Sequence, residues 1–140
     1  MKRTLFAVLA VFVTWSVLGF IIHGLFLGSI YAATPQLWRP MQEMKTGLMY
    51  FASLITAASF VIIYSWFVVE KSIKSALLYG IIFGVGTGIS MGYGSYSVMP
   101  IPYIVAFVWF IGCIVEYALG GLVVGLIIKK DNGRFLHNRN

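Results

Sequence analysis

Four long apolar runs, residues 5–28, 48–69, 76–94 and 104–128, alternate along the chain with short polar or aromatic connections. A helix rises about 1.5 Å per residue and the hydrocarbon core of a bilayer is about 30 Å thick, so a run of about 20 residues crosses it. Each run is about that long. The pattern predicts an all-α integral membrane bundle of four transmembrane helices, one domain over 1–140. The first run follows Lys2 and Arg3 as a secretory signal would. A signal core, however, spans only about 7–15 apolar residues, so this run is expected to be retained as a span.

The connections carry the orientation. Lys2, Arg3, Lys71, Lys74, Lys129, Lys130, Arg134 and Arg139 fall on one side of the spans, and Arg39 and Lys45 on the other. Basic residues gather on the cytoplasmic side. Both termini are therefore expected to be cytoplasmic, with a basic tail over 129–140 and every copy inserted the same way. In the first external segment, Thr34 and Pro35 read as a helix N-cap with proline in the first turn. Leu37, Met41, Met44 and Leu48 then recur at helical spacing, with Arg39, Gln42, Glu43 and Lys45 off their stripe. A short amphipathic helix at the external interface is expected over 35–44. Aromatic side chains mark both interfaces: Tyr31, Trp38, Tyr50, Tyr93, Tyr96 and Tyr103 at the external one, Tyr64, Trp66 and Tyr79 at the other. A faint internal echo links Gly28-Ser29-Ile30-Tyr31, leading to Pro35, with Gly94-Ser95-Tyr96, leading to Pro100.

Composition narrows the function. Residues are 60% hydrophobic and only 10% charged, whereas soluble domains carry about 25% charged residues. The net charge of +6 comes from residues scattered between apolar runs instead of along one stripe, which implies the lipid bilayer as surroundings and no nucleic-acid partner. Cys113 is the single cysteine, so an intramolecular disulfide, a Cys-x-x-Cys redox pair and a thiolate cluster are excluded.

Gly80, Gly84, Gly88 and Gly92 recur every four residues along the third run and form a groove without side chains, echoed by Gly24 and Gly28 and by Gly121 and Gly125. In lipid, helices associate through close van der Waals packing, which such grooves permit. The expected role is tight helix packing, with a groove for an apolar ligand as the alternative.

Glu116 lies twelve residues, about 18 Å, from each end of the fourth run. It is the one ionisable side chain near a span centre. Ser16, Ser59 and Thr87, each eleven residues into its own run, fall at a similar depth, so a central polar layer is expected. Gly112 and Gly120 flank Glu116 on its helical face, which points that face inward, and no Lys or Arg inside a span is available to pair with it. Burial of an unpaired charge is costly, so the neutral, hydrogen-bond-donating acid is expected. Two readings stand: an interhelical clamp, or a proton- or cation-binding group on a transport path. His23 lies eighteen residues after Leu5, about 27 Å along, near the external interface and out of reach of Glu116. With Trp38, Arg39, Tyr93 and Tyr96 it is a candidate for the external face. No metal set and no cofactor is implied, and Trp15 and Tyr117 read as core.

Phe20-Ile21-Ile22-His23-Gly24, Tyr31, Leu37-Trp38-Arg39-Pro40, Met91-Gly92-Tyr93-Gly94 and Met99-Pro100-Ile101-Pro102, taken together, resemble a bacterial family of small four-span membrane proteins grouped as a domain of unknown function. The resemblance covers nearly the whole chain. It implies a four-helix fold in the bacterial inner membrane and carries no activity or site residue with it.

The reading that follows is a non-enzymatic membrane subunit that self-associates, or docks to other membrane subunits, through glycine-lined helix faces. The alternative is a small proton- or cation-linked transporter or channel centred on Glu116, with Tyr93, Tyr96 and the loop to Pro102 as an external vestibule. Reporter fusions or cysteine labelling at Thr34 and Asn132 should place these two positions on opposite sides of the membrane, and labelling of both from one side would refute the topology.

Overall fold

The computed structural model describes residues 2–128, and the basic tail over 129–140 lies outside them. Among the described residues all regular structure is helical. Helix α1 (Lys2–Gly19) runs on as a π-helical segment, Phe20–Phe26, and a short α2 (Gly28–Ala33) follows. Helix α3 is Thr46–Phe67. Helix α4 (Ile73–Ile89) also runs on as a π-helical segment, Ser90–Gly94, followed by the short α5 (Ser95–Val98) and by α6 (Tyr103–Ile127). Four continuous helical stretches, Lys2–Phe26, Thr46–Phe67, Ile73–Val98 and Tyr103–Ile127, are long and apolar enough to span a membrane.

Local chemistry sets the boundaries. The Ser72 hydroxyl accepts the Ser75 N–H at 3.1 Å and caps α4. Just before it, the Lys71 ammonium donates to the carbonyls of Tyr64, at 2.8 Å, and Val68, and lies 5.0 Å from the Tyr64 ring centroid. A cation thus caps the carbonyl end of α3, adding a second donor to the Tyr64 carbonyl that already accepts the Val68 N–H. Burial holds that ammonium below the usual lysine range.

The amphipathic helix expected over 35–44 is not formed as one element. Pro35–Leu37 and Met41–Glu43 are single 3-10 turns, with Trp38 (φ −120°, ψ 155°) and Pro40 (φ −53°, ψ 146°) extended between them. Pro40 supplies the reason: it has no N–H to donate, and its ring drives the preceding residue out of the helical region. Thr34 does not cap the turn either. Its hydroxyl donates to the Ile30 carbonyl (2.8 Å) and accepts the Trp38 indole N–H (3.0 Å).

Helix α6 is the element the others are built around. A Cβ placed on Gly84 would lie 2.8 Å from the Ile114 Cα, and one on Gly88 would lie 2.8 Å from the Phe110 carbonyl oxygen. At Gly80 and Gly92 it would run into the carbonyls of Tyr117 and Ala106. The glycine edge of α4 therefore lies against the backbone of α6 within the same chain. Gly121 and Gly125 of α6 return the arrangement by admitting Ala76. Gly24 and Gly28 differ, because a Cβ there would meet only their own segment. On its other side α6 faces α1, where Gly112 receives Ile22 and Gly120 receives Trp15.

Packing divides into two apolar cores. One joins Ala7, Val8, Val11 and Trp15 of α1 to Ala57, Phe60, Val61 and Tyr64 of α3, Ala76 of α4 and Val124 of α6. The other joins Leu27, Ile101, Val105 and Ala106, with Ile22, Tyr31, Leu37, Trp38 and Trp109 around them. Helix α3 takes part only in the first, and in the second the folded-back 28–38 segment takes its place. The outward faces carry exposed Leu25, Phe51, Ile82 and Leu126, as lipid contact requires.

Leucine at Gly84 and Gly88 together would force α4 off α6, and overpacking of one position typically costs about 1–3 kcal/mol. The double variant should lose its folded population in detergent or bicelles, read by near-UV circular dichroism and SDS titration. Wild-type stability would refute the backbone contact.

Candidate functional site

Beside the second core lies a pocket of about 40 Å³, partly open at the protein surface, lined by Ile22, His23, Met91, Trp109, Gly112, Cys113 and Glu116. Three helices build it, and two of them lose regular α geometry at this level. Ile22 and His23 belong to the π-helical segment of α1, and Met91 to that of α4. A π turn inserts one residue into the α ladder and often occurs where function needs a side chain re-aimed. Its effect on α1 is visible in the burial pattern. Steps of three to four residues from Val8, Val11 and Trp15 lead to Ile22 and Phe26, yet Phe26 is 68% exposed and Leu27 is fully buried. The inward stripe slips by one residue, which turns His23 toward α6.

The structure brings Glu116 and His23 to one cavity, against the expectation that they lie too far apart. That expectation followed Cα rise alone. In a helix every Cα–Cβ bond leans toward the N-terminus, and α1 and α6 run antiparallel. The two side chains accordingly lean toward each other. Glu116 also approaches α1, its Oε1 3.7 Å from where a Cβ on Gly19 would stand.

Around His23 a hydrogen-bonded group forms. Its Nδ1 is 2.8 Å from the Tyr31 hydroxyl, and the Trp109 indole donates to that hydroxyl at 2.8 Å. Trp38 stacks edge-on to Tyr31 with centroids 4.8 Å apart. Burial raises the Tyr31 hydroxyl above the usual tyrosine range, the Trp109 bond offsetting part of the effect, so it keeps its hydrogen. Below the cavity the Trp15 indole donates to the Glu116 backbone carbonyl at 2.7 Å. Gly120 is needed there, since a Cβ would sit 2.7 Å from the Trp15 Nε1.

The other predicted residues are dispersed. The Ser16 and Thr87 hydroxyls donate to the Phe12 and Phe83 carbonyls of their own helices, both at 2.8 Å, and Ser59 faces outward. The polar level consists of His23, Cys113 and Glu116 instead. Arg39 is exposed, and Trp38 packs in the second core. Tyr93 and Tyr96 gather at Tyr103, with the Tyr93 and Tyr103 hydroxyls 3.2 Å apart, away from the cavity. Trp109, Gly112, Cys113 and Glu116 share one face of α6 at intervals of three, one and three, a pattern the sequence displays. Tyr31 and Met91 carry no such signal, because their positions depend on the π turns. Among the described residues no set of three His, Cys, Asp or Glu side chains is placed to hold a metal ion.

No protein-family model matches the chain, and no curated protein and no solved structure matches it.

Gly120→Ala should destabilise the fold by about 1–3 kcal/mol through the Trp15 contact. Combined with Trp15→Phe it should cost clearly less than the two single changes added together, because they share one contact. Additive costs in an SDS-titration cycle would refute that contact.

Proposed function

We propose that the chain is a small, non-enzymatic, proton-linked membrane transporter or channel in which Glu116 binds and releases the proton. One observation carries the reading: an ionisable carboxyl and a histidine line a single pocket beside the second apolar core, at the level where two spanning helices both change from α to π geometry. Intramembrane carboxyls are costly and tend to serve a function. Glu116 has no ion pair among the described residues, and no protein hydrogen bond engages its carboxyl, so the group is available for a mobile ion. The family resemblance and the excess of basic residues on one side support insertion in the bacterial inner membrane with both termini in the cytoplasm.

A second reading is a subunit that self-associates or docks to a larger membrane complex, and one feature favours it. Residues 46–52, the first two turns of α3, are exposed at every position and outside both cores. The glycine edge of α4 is already taken up by α6, so docking would use this exposed end of α3, where Tyr50 alone packs edge-on to a ring of α1, that of Phe12. Native mass in lipid nanodiscs separates the readings: the subunit predicts a discrete oligomer, lost on Leu48→Ser with Phe51→Ser.

Purified protein in liposomes carrying an internal pH dye should pass protons down an imposed gradient. Glu116→Gln, which keeps the shape and a hydrogen-bond donor, should remain folded and lose that flux. Glu116→Ala should lose the flux as well. Undiminished flux in Glu116→Gln, or wild-type flux no greater than in protein-free liposomes, would refute the proposal.

A further inference from the structure

The hydrogen-bonded group beside the cavity fixes where the His23 ring carries its hydrogen. An indole nitrogen only donates, so the Tyr31 oxygen accepts from Trp109. The Tyr31 hydroxyl then has its own hydrogen to place, and His23 Nδ1 stands 2.8 Å away. Were Nδ1 protonated, the same oxygen would receive two N–H groups and its hydrogen would lack a partner in a half-buried position, which is costly. The consistent arrangement is Tyr31 O–H donating to an unprotonated Nδ1. In the neutral ring the hydrogen then resides on Nε2. No protein group accepts from Nε2 among the described residues, and His23 and Glu116 line the same pocket.

We infer that this cavity is a water site linking His23 Nε2–H to the Glu116 carboxyl, and that Tyr31 and Trp109 are positioning residues which hold His23 in the tautomer the link requires. The inference rests on the reading of Glu116 as the proton-binding group and names its ligand as water and the hydronium ion. A volume of about 40 Å³ exceeds the roughly 10–15 Å³ that a water needs. Polar partners are present too: an N–H donor, a carboxyl and the Cys113 thiol. The remaining lining, Ile22, Met91, Trp109 and Gly112, brings no ionisable group. In the transfer step a hydronium ion gives one proton to the Glu116 carboxylate, leaving a water molecule and the neutral acid, and release is the reverse. His23 keeps its hydrogen throughout and orients the water.

The chain has two histidines, so His137→Gln leaves His23 as the only one. Solid-state NMR of this variant in bilayers, with ¹⁵N-labelled histidine, should show a neutral ring bearing hydrogen on Nε2, with polarisation transferred to that N–H from water. Tyr31→Phe should shift the tautomer ratio toward Nδ1–H by roughly five- to tenfold, the change expected from losing one ordinary hydrogen bond, and should lower proton flux. Trp109→Phe, which frees the Tyr31 oxygen to accept from the ring, should shift the ratio the same way and serves if Tyr31→Phe fails to fold. Hydrogen on Nδ1 in the otherwise native protein, no transfer from water, or an unchanged ratio in the folded Tyr31 or Trp109 variant would overturn the inference. Flux that survives Glu116→Gln beside an intact Nε2 tautomer would defeat only the functional proposal.

Discussion

The contact of α4 with α6, backbone against backbone, decides how everything else is arranged. Burial of apolar surface from lipid gains little, so what holds two spans together is the closeness of their approach. Gly80, Gly84, Gly88 and Gly92 lay α4 on a strip of α6 that runs through Ala106, Phe110, Ile114 and Tyr117. With that strip occupied, the rotation of α6 is fixed. Its next face, Trp109, Gly112, Glu116 and Gly120, is turned to α1, where Gly112 and Gly120 admit Ile22 and Trp15. Glu116 stands between these two close approaches.

A second constraint concerns helix continuity. An α-helix satisfies its own backbone in lipid, so breaks in its ladder are tolerated only where the protein itself surrounds them. A π turn makes no such break, because its N–H groups still bond to carbonyls of the same helix, as Leu27 does to Ile22, and it is compatible with a Phe20–Phe26 segment that buries no residue; both helices that run toward the loop end finish alike, with a π-helical segment and then a short α-helix. The echo between Gly28-Ser29-Ile30-Tyr31 and Gly94-Ser95-Tyr96 lies at these endings. In the first, the slip of one residue brings His23 inward and carries the chain into α2, from which Tyr31 returns to the ring. The same local device thus supplies one wall of the cavity and the group that orients it.

Energetically the polar level is set apart from the two apolar cores instead of within either. Trp15 and Phe60 pack below it with centroids 5.4 Å apart, and Trp109 and Trp38 above it at 6.2 Å. Between these aromatic pairs Glu116 and His23 are partly buried, beside a pocket with room for water. Stability and the proposed proton chemistry therefore draw on different residues, which is why a conservative change at Glu116 is expected to spare the fold.

The sequence by itself determined the class of the protein: four apolar runs of spanning length, few charges, and a single carboxyl near the centre of a span. It also displayed the glycine edge of α4 and the inward flanks of Glu116, because small residues at helical spacing carry their meaning locally. The interfacial helix over 35–44 was misread from a correct period, since Pro40 removes a donor and forbids helical backbone before it. The central layer of Ser16, Ser59 and Thr87 did not assemble, since equal depth says nothing about direction, and Ser16 and Thr87 satisfy their hydroxyls on their own helices. Only the tertiary structure joined His23 to Glu116. That meeting depends on two π turns, whose extra residue shifts the helical phase without a mark in the hydrophobic pattern, and on the opposite lean of side chains in antiparallel helices, which a count of residues along either helix does not contain.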